Sequence, residues 1–221
     1  MTSKSTRNHR SAVSLTAPDS PLTALGPISP ADLPHLDPNS KRSQAYDNDL
    51  ATLTGVIVHQ VLAELAPKSI SPAASQISLA VSRRTVSLAQ TRPMRRAVNV
   101  AAFTAVVSYF GAFRWPVYEF AGAEVHLEPD DRADLVWLLP GGRYLIDEIK
   151  VTSSSQLDGA VLAQVQRYLD AGIRIWGPAF AGVRVCHVRS PLSSALLTPD
   201  GRVLPVGRHS LNGCSGHWGR A

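Results

Sequence analysis

Cysteine is scarce in this chain: Cys186 and Cys214 are the two thiols in 221 residues. A pair without C-x-x-C spacing excludes a disulfide framework and a four-thiolate iron–sulfur cluster, and it predicts a reducing, cytoplasmic setting. Long apolar runs are also missing, and the stretch Met1-Thr2-Ser3-Lys4-Ser5-Thr6-Arg7 has no apolar segment behind it. A membrane span and a secretory leader are therefore not expected. No internal repeat recurs. The histidines His9, His35, His126, His187, His209 and His217 lack partners at zinc-ligand spacing, so a structural zinc site is not expected from them.

What is present suits one domain of ordinary size with a tail. Hydrophobic residues make up 44% of the chain, enough for a core. The formal net charge of +5 favours a polyanionic partner. Arginine dominates the basic clusters, as at Arg83-Arg84, Arg92, Arg95 and Arg96. These arginines are candidates for phosphate contact or for a solvated helix face.

Residues 1–46 are rich in Ser, Pro, Thr and Asp, with prolines too closely spaced for a regular element to persist. They are expected to form a disordered tail, with a short turn near Pro30-Ala31-Asp32-Leu33. Residues 47–206 carry the periodic patterns of a folded domain, and residues 207–221 read as a loose, glycine-rich tail. An amphipathic helix is predicted from Asp49 to about Pro67, through Leu50, Leu53, Ile57, Val58, Val61, Leu62 and Leu65. Two more helices are predicted from about Pro72 to Ala89 and from about Pro93 to Phe113, the third lying under a sheet. Strands follow at Val117 to Phe120 and Glu124 to Leu127, then a helix over Gln156 to Ala171. Further strands are predicted at Ile173 to Trp176 and Val183 to Val188, and a hairpin over Ser194 to Val206 turns at Pro199-Asp200-Gly201. The order predicts an α+β fold with a central mixed sheet flanked by helices.

Between these elements lies the most informative stretch, Ala133 to Lys150: two extended runs joined by Pro140-Gly141-Gly142. Glu148 and Lys150 alternate with Ile149, so both point to one face of their strand. A carboxylate and an ammonium there form a surface salt bridge or part of a cation site. Other chemistry-bearing residues flank the stretch. Gly55-Val56-Ile57-Val58-His59 sits on the first helix, with Gln60 and Glu64 beyond it. Asp134 enters the first strand. Gln164 and Tyr168 stand one helical turn apart on the helix after the sheet. Taken alone, His59 reads as a core histidine, Gln164 as a solvent-facing polar residue and Tyr168 as an aromatic at the edge of the core.

The ordered set G-x-x-x-H, D, E-x-K and Q-x-x-x-Y resembles the PD-(D/E)XK nuclease superfamily, specifically its RecB-like branch, over roughly Asp49 to Val206. The resemblance implies a restriction-endonuclease-like fold and a metal-dependent nuclease that hydrolyses DNA phosphodiester bonds in repair, recombination or defence. It implies metal ligation by His59, Asp134, Glu148 and the backbone carbonyl of Ile149, with Mg²⁺ or Mn²⁺ as the ion. Lys150 would act with Asp134 and Glu148 in catalysis, orienting or helping to deprotonate the attacking water. Gln164 and Tyr168 would hold the nucleic-acid backbone or the catalytic carboxylates.

The motif is not matched everywhere. Ala133 stands where the family has a proline, and Asp147 offers a second acidic candidate, expected on the opposite sheet face and paired with a helix residue. Glu119 and Glu124 read as a solvated strand face or as an extra acidic ligand. Glu128-Pro129-Asp130-Asp131 reads as an acidic loop, and Trp115 and Trp176 as core residues or base-stacking platforms. DNA is the expected partner, with a helicase or other DNA-processing subunit beside it, since no helicase motif is present. The alternative functions are a nucleic-acid-binding or assembly subunit of the same fold that does not cut, and a nuclease acting on RNA.

Overall fold

A computed structural model describes residues 41–68, 71–89, 91–114, 117–152 and 159–206. Residues 1–40 of the expected tail over 1–46, the expected tail over 207–221, the turn near Pro30, Trp115, Cys214 and the start of the helix at Gln156 lie outside the described residues.

Helix α1 runs Lys41–Leu65. Its buried positions, Thr54, Ile57, Val58, Val61, Leu62 and Leu65, repeat at three and four residues and turn one stripe inward. The helix starts earlier than its strong apolar pattern predicts and takes in residues 41–46, which the sequence pattern assigns to the disordered tail. Tyr46, Leu50 and Leu53 extend the stripe backwards and pack on the core, and no proline lies between Pro38 and Pro67 to interrupt the helix. Helix α2, Ala74–Leu88, and helix α3, Arg92–Ala112, match their expected spans closely. Thr91 caps α3 by accepting a hydrogen bond from the Met94 amide at 3.3 Å, and Pro93 occupies the first turn, where a missing N–H costs nothing.

Six strands follow in one sheet, in the spatial order β1-β2-β3-β4-β5-β6. They are β1 Glu119–His126, β2 Arg132–Leu139, β3 Arg143–Lys150, β4 Phe180–His187, β5 Ala195–Leu197 and β6 Val203–Pro205. Pairing is antiparallel throughout except between β3 and β4, which run parallel. A parallel pair needs a long crossover, and helix α4, Gly159–Trp176, supplies it. The fold is α+β with a mixed six-stranded sheet, as expected.

Two expectations fail. The separate strands predicted around Ala121-Gly122-Ala123 are one strand, β1, which crosses the small residues with a register shift between Phe120 and Gly122. Pairing with β2 supplies the hydrogen bonds that local propensity does not. The strand predicted at Ile173 to Trp176 is the last turn of α4. There the β-branched run is overridden by packing: a Cβ at Gly172 would come within 2.3 Å of the Phe180 ring, and Trp176 stacks between Tyr144 and Phe180.

The β2–β3 turn is built as its sequence asks. Gly141 and Gly142 hold φ of 86° and 76°, a left-handed pair open to glycine, and the Gly142 amide donates to the Leu139 carbonyl at 3.1 Å. The sheet divides the core. Leu135, Trp137, Leu145 and Ile149 pack with α1, α2 and α3, while Val136, Ile146, Val183 and Val185 pack with Val165, Tyr168 and Leu169 of α4. No described helix is long and apolar enough to cross a membrane.

Candidate metal centre

The β2–β3 ladder ends at the pair Leu135–Asp147. One residue further, the Asp134 side chain replaces the ladder: its Oδ2 accepts a hydrogen bond from the Ile149 amide at 2.7 Å. On its other side β3 stays paired with β4 as far as Lys150–His187. The strands therefore part at one place, and groups from both faces of the sheet meet there.

His59 arrives from α1. Its Nδ1 lies 3.1 Å from Asp134 Oδ1, and its Nε2 lies 3.2 Å from the Ile149 carbonyl oxygen. An imidazolium would donate to both oxygens. Burial acts to lower the His59 pKa, but the hydrogen bond and charge of Asp134, helped by Glu148 and the Ile149 carbonyl, outweigh it and raise the pKa. A cation is thus favoured where the imidazole sits.

Glu148 and Lys150 point toward α4, as strand alternation predicts. The Lys150 ammonium donates to Glu148 Oε1 at 2.6 Å and to Gln164 Oε1 at 3.0 Å. The Glu148 side chain is 4% exposed, and its Oε2 is buried without a hydrogen-bond donor among the described residues. An unsatisfied buried carboxylate oxygen is costly and asks for a cation or a donor. Burial and then the Asp134 charge push the Glu148 pKa up to about 7, against the pull of Lys150 and His59. Three expected groups, His59, Asp134 and the Ile149 carbonyl, therefore meet at the end of β3, with Glu148 and its partner Lys150 on the adjoining positions of the strand.

Gln164 and Tyr168 continue the chain. Gln164 Nε2 donates to the Tyr168 hydroxyl at 2.8 Å, and that hydroxyl donates to the Arg132 carbonyl at 2.6 Å. Tyr168 is 2% exposed. Burial, with the Glu148 charge adding, keeps its hydroxyl protonated by raising its pKa. Their described contacts are internal, so the geometry is that of a brace. It ties α4 to Lys150 and to the start of β2.

Asp147 faces the opposite way and meets a helix residue, as expected. Its Oδ2 accepts from the Tyr109 hydroxyl at 2.6 Å, from Trp137 Nε1 at 2.9 Å and from Arg184 Nη2 at 2.6 Å, while Oδ1 accepts from Arg184 Nε at 2.7 Å. Both charges are fully buried. Burial alone would depress the Arg184 pKa, but Asp147 raises it well above the usual arginine range. Arg184 was missed from sequence, although its signal was there: an arginine inside the apolar run of β4 needs a buried anion, and Asp147 is its cross-strand neighbour.

A groove of about 660 Å³ opens beside His59, lined by Val56, Gln60, Glu64, Arg84, Glu124 and Arg132. Glu64 spans α1 and α2, accepting from Arg83 at 3.0 Å and from Arg84 at 3.4 Å. Glu119 is exposed, but Glu124 turns toward the centre: ligand atoms of His59, Glu124 and Asp134 all lie within 4.8 Å of one another. A Cβ at Gly55 would meet nothing within 4 Å, so packing against the described residues does not explain that glycine. The acidic loop before β2 is held by α4, through Arg167 to Asp131 at 2.9 Å and through Arg174 to Glu128, which removes much of its repulsion toward an anion. Cys186 is a buried free thiol, and Trp176 is a packing residue.

No family model matches this chain, and neither a curated protein nor a solved structure does.

Proposed function

We propose that the protein is a metal-dependent nuclease that hydrolyses DNA phosphodiester bonds, with the restriction-endonuclease-like plan of the RecB-like PD-(D/E)XK branch, acting in DNA repair, recombination or defence. The observation that carries this reading is the donor set at the end of β3. An imidazole, Asp134 and a backbone carbonyl converge. Glu148 adds a buried oxygen that lacks a donor among the described residues, and a lysine lies alongside.

Carboxylate and carbonyl oxygens suit Mg²⁺, and the imidazole extends the range to Mn²⁺. A divalent cation there would supply Lewis acidity toward the phosphoryl oxygens and offset the charge of the transition state. The chain's own residues supply the rest. Asp134 and Glu148 bring the negative charge that attracts a cation. Lys150, held by Glu148 and Gln164, presents N–H donors that orient the attacking water and stabilise the oxygens that gain charge as the P–O bond breaks. Arg84 and Arg132 line the adjacent groove and fit the anionic backbone.

A second reading has its own support: His59 already bridges Asp134 and the Ile149 carbonyl, so much of the cluster is satisfied without an ion. That suits a nucleic-acid-binding or assembly subunit that does not cut. Incubation of the protein with linear, circular and single-stranded DNA, and with RNA, in Mg²⁺ or Mn²⁺ separates the readings. Cleavage lost in both Glu148→Ala and Lys150→Ala supports the nuclease. Salt-sensitive binding by a wild type that never cuts supports the binding subunit.

A further inference from the structure

Glu124 takes no part in the ligand set above, yet its placement is not that of an ordinary strand residue. It sits on β1 with φ of 52°, the one described non-glycine residue in the left-handed region. The turned backbone brings its carboxylate to the His59–Asp134 pair, with a ligand atom of each within 4.8 Å of the others. A second observation points to a ligand at this end of the strands. Glu148 follows the last β2–β3 pair, Leu135–Asp147, as Asp134 precedes it, and its Oε2 is buried without a described donor. Two carboxylates, Glu124 and Asp134, therefore flank one imidazole.

What restrains Glu124 is Arg132. Its Nε lies 2.6 Å from Glu124 Oε2, and the two side chains are 57% and 35% exposed, so the pair is open to exchange. The Arg132 backbone is anchored by the Tyr168 hydroxyl, the far end of the brace that holds Lys150. Its guanidinium lines the same groove as His59 and Glu124, where the backbone of a nucleic acid would compete for it.

We infer that Glu124 is a reserve ligand of the proposed metal centre, withheld by its ion pair with Arg132 and released when Arg132 turns to an anion in the groove. This rests on the metal-centre reading and adds to it a coupling between groove occupancy and metal affinity. In the closed arrangement Arg132 neutralises Glu124. In the open arrangement Glu124 brings one more negative oxygen to the cation and so tightens its binding.

The test is Mn²⁺ binding without nucleic acid, followed by calorimetry and by electron paramagnetic resonance of the free ion. The proteins are the wild type, Arg132→Gln, Glu124→Gln, the double variant and Asp134→Asn, each checked for folding by circular dichroism. Arg132→Gln is expected to tighten Mn²⁺ binding by about 10-fold or more, in the range seen for groups that act on metal ligands. The double variant is expected to show no such tightening, because the gain passes through Glu124. Equal tightening in the presence and absence of the Glu124 carboxylate overturns the inference, as does an unchanged affinity in Arg132→Gln. If Mn²⁺ binding is lost in Asp134→Asn while the Arg132 result fails, the metal centre stands without the reserve ligand. If the wild type does not bind Mn²⁺, both fall.

Discussion

At the scale of single residues, the site is governed by which polar atoms have partners. Lys150 reaches Glu148 and Gln164 through a short chain of hydrogen bonds, so its ammonium is held in place before any substrate arrives. Under the nuclease reading, Lys150→Ala should lower the cleavage rate by about 10²–10⁴-fold, the usual contribution of a positioned proton-handling group. Single-turnover cleavage of linear DNA would measure it, and Mn²⁺ binding by the variant should persist. Tyr168→Phe removes the donor to the Arg132 carbonyl and the acceptor for Gln164. It should cost about 1–3 kcal/mol, as expected when buried partners are left unpaired, and urea unfolding would show it.

At the scale of elements, β3 carries two unlike sets of charges on its two faces. The side toward α4 presents Glu148 and Lys150, whereas the opposite side anchors Asp147 to Tyr109 of α3, Trp137 of β2 and Arg184 of β4. That anchor ties three elements to the strand that carries the site. Asp147→Ala leaves the Arg184 charge buried without its partner and should destabilise the fold by about 3–5 kcal/mol. A smaller loss in thermal or urea unfolding would show that Arg184 finds another acceptor. The division of labour within Asp147-Glu148-Ile149-Lys150 was legible from strand alternation alone. The donors to Asp147 were not, because they come from three separate elements and only packing brings them together. The end of α4 shows the same limit. Ile173 to Trp176 carries residues that favour strands, and the contact of Gly172 with Phe180 keeps it helical.

At the scale of the whole molecule, the proposed ion should act as a fold-stabilising ligand, since its donors come from α1, β2 and β3 and are not assembled in the unfolded chain. Mn²⁺ at 100 times its dissociation constant should stabilise the protein by about 2.7 kcal/mol. Differential scanning calorimetry would read this as a rise in Tm that disappears in Asp134→Asn. No rise in the wild type would count against a metal centre. The formal net charge of +5 predicts that DNA affinity falls steeply with salt, whichever of the two proposed functions holds.

The sequence by itself determined the element types over most of the domain, because apolar spacing of three and four residues or of two is a local property that burial then exploits. It also determined which face Glu148, Lys150 and Asp147 take, since alternation follows from the strand backbone. The tertiary structure alone decided that Glu124 turns toward His59, that Tyr168 and Gln164 brace Lys150, and that Arg184 answers Asp147. Each of those depends on where strands stop pairing and which helix crosses them. Such distances between remote segments are set by packing of the core, and no local pattern encodes them.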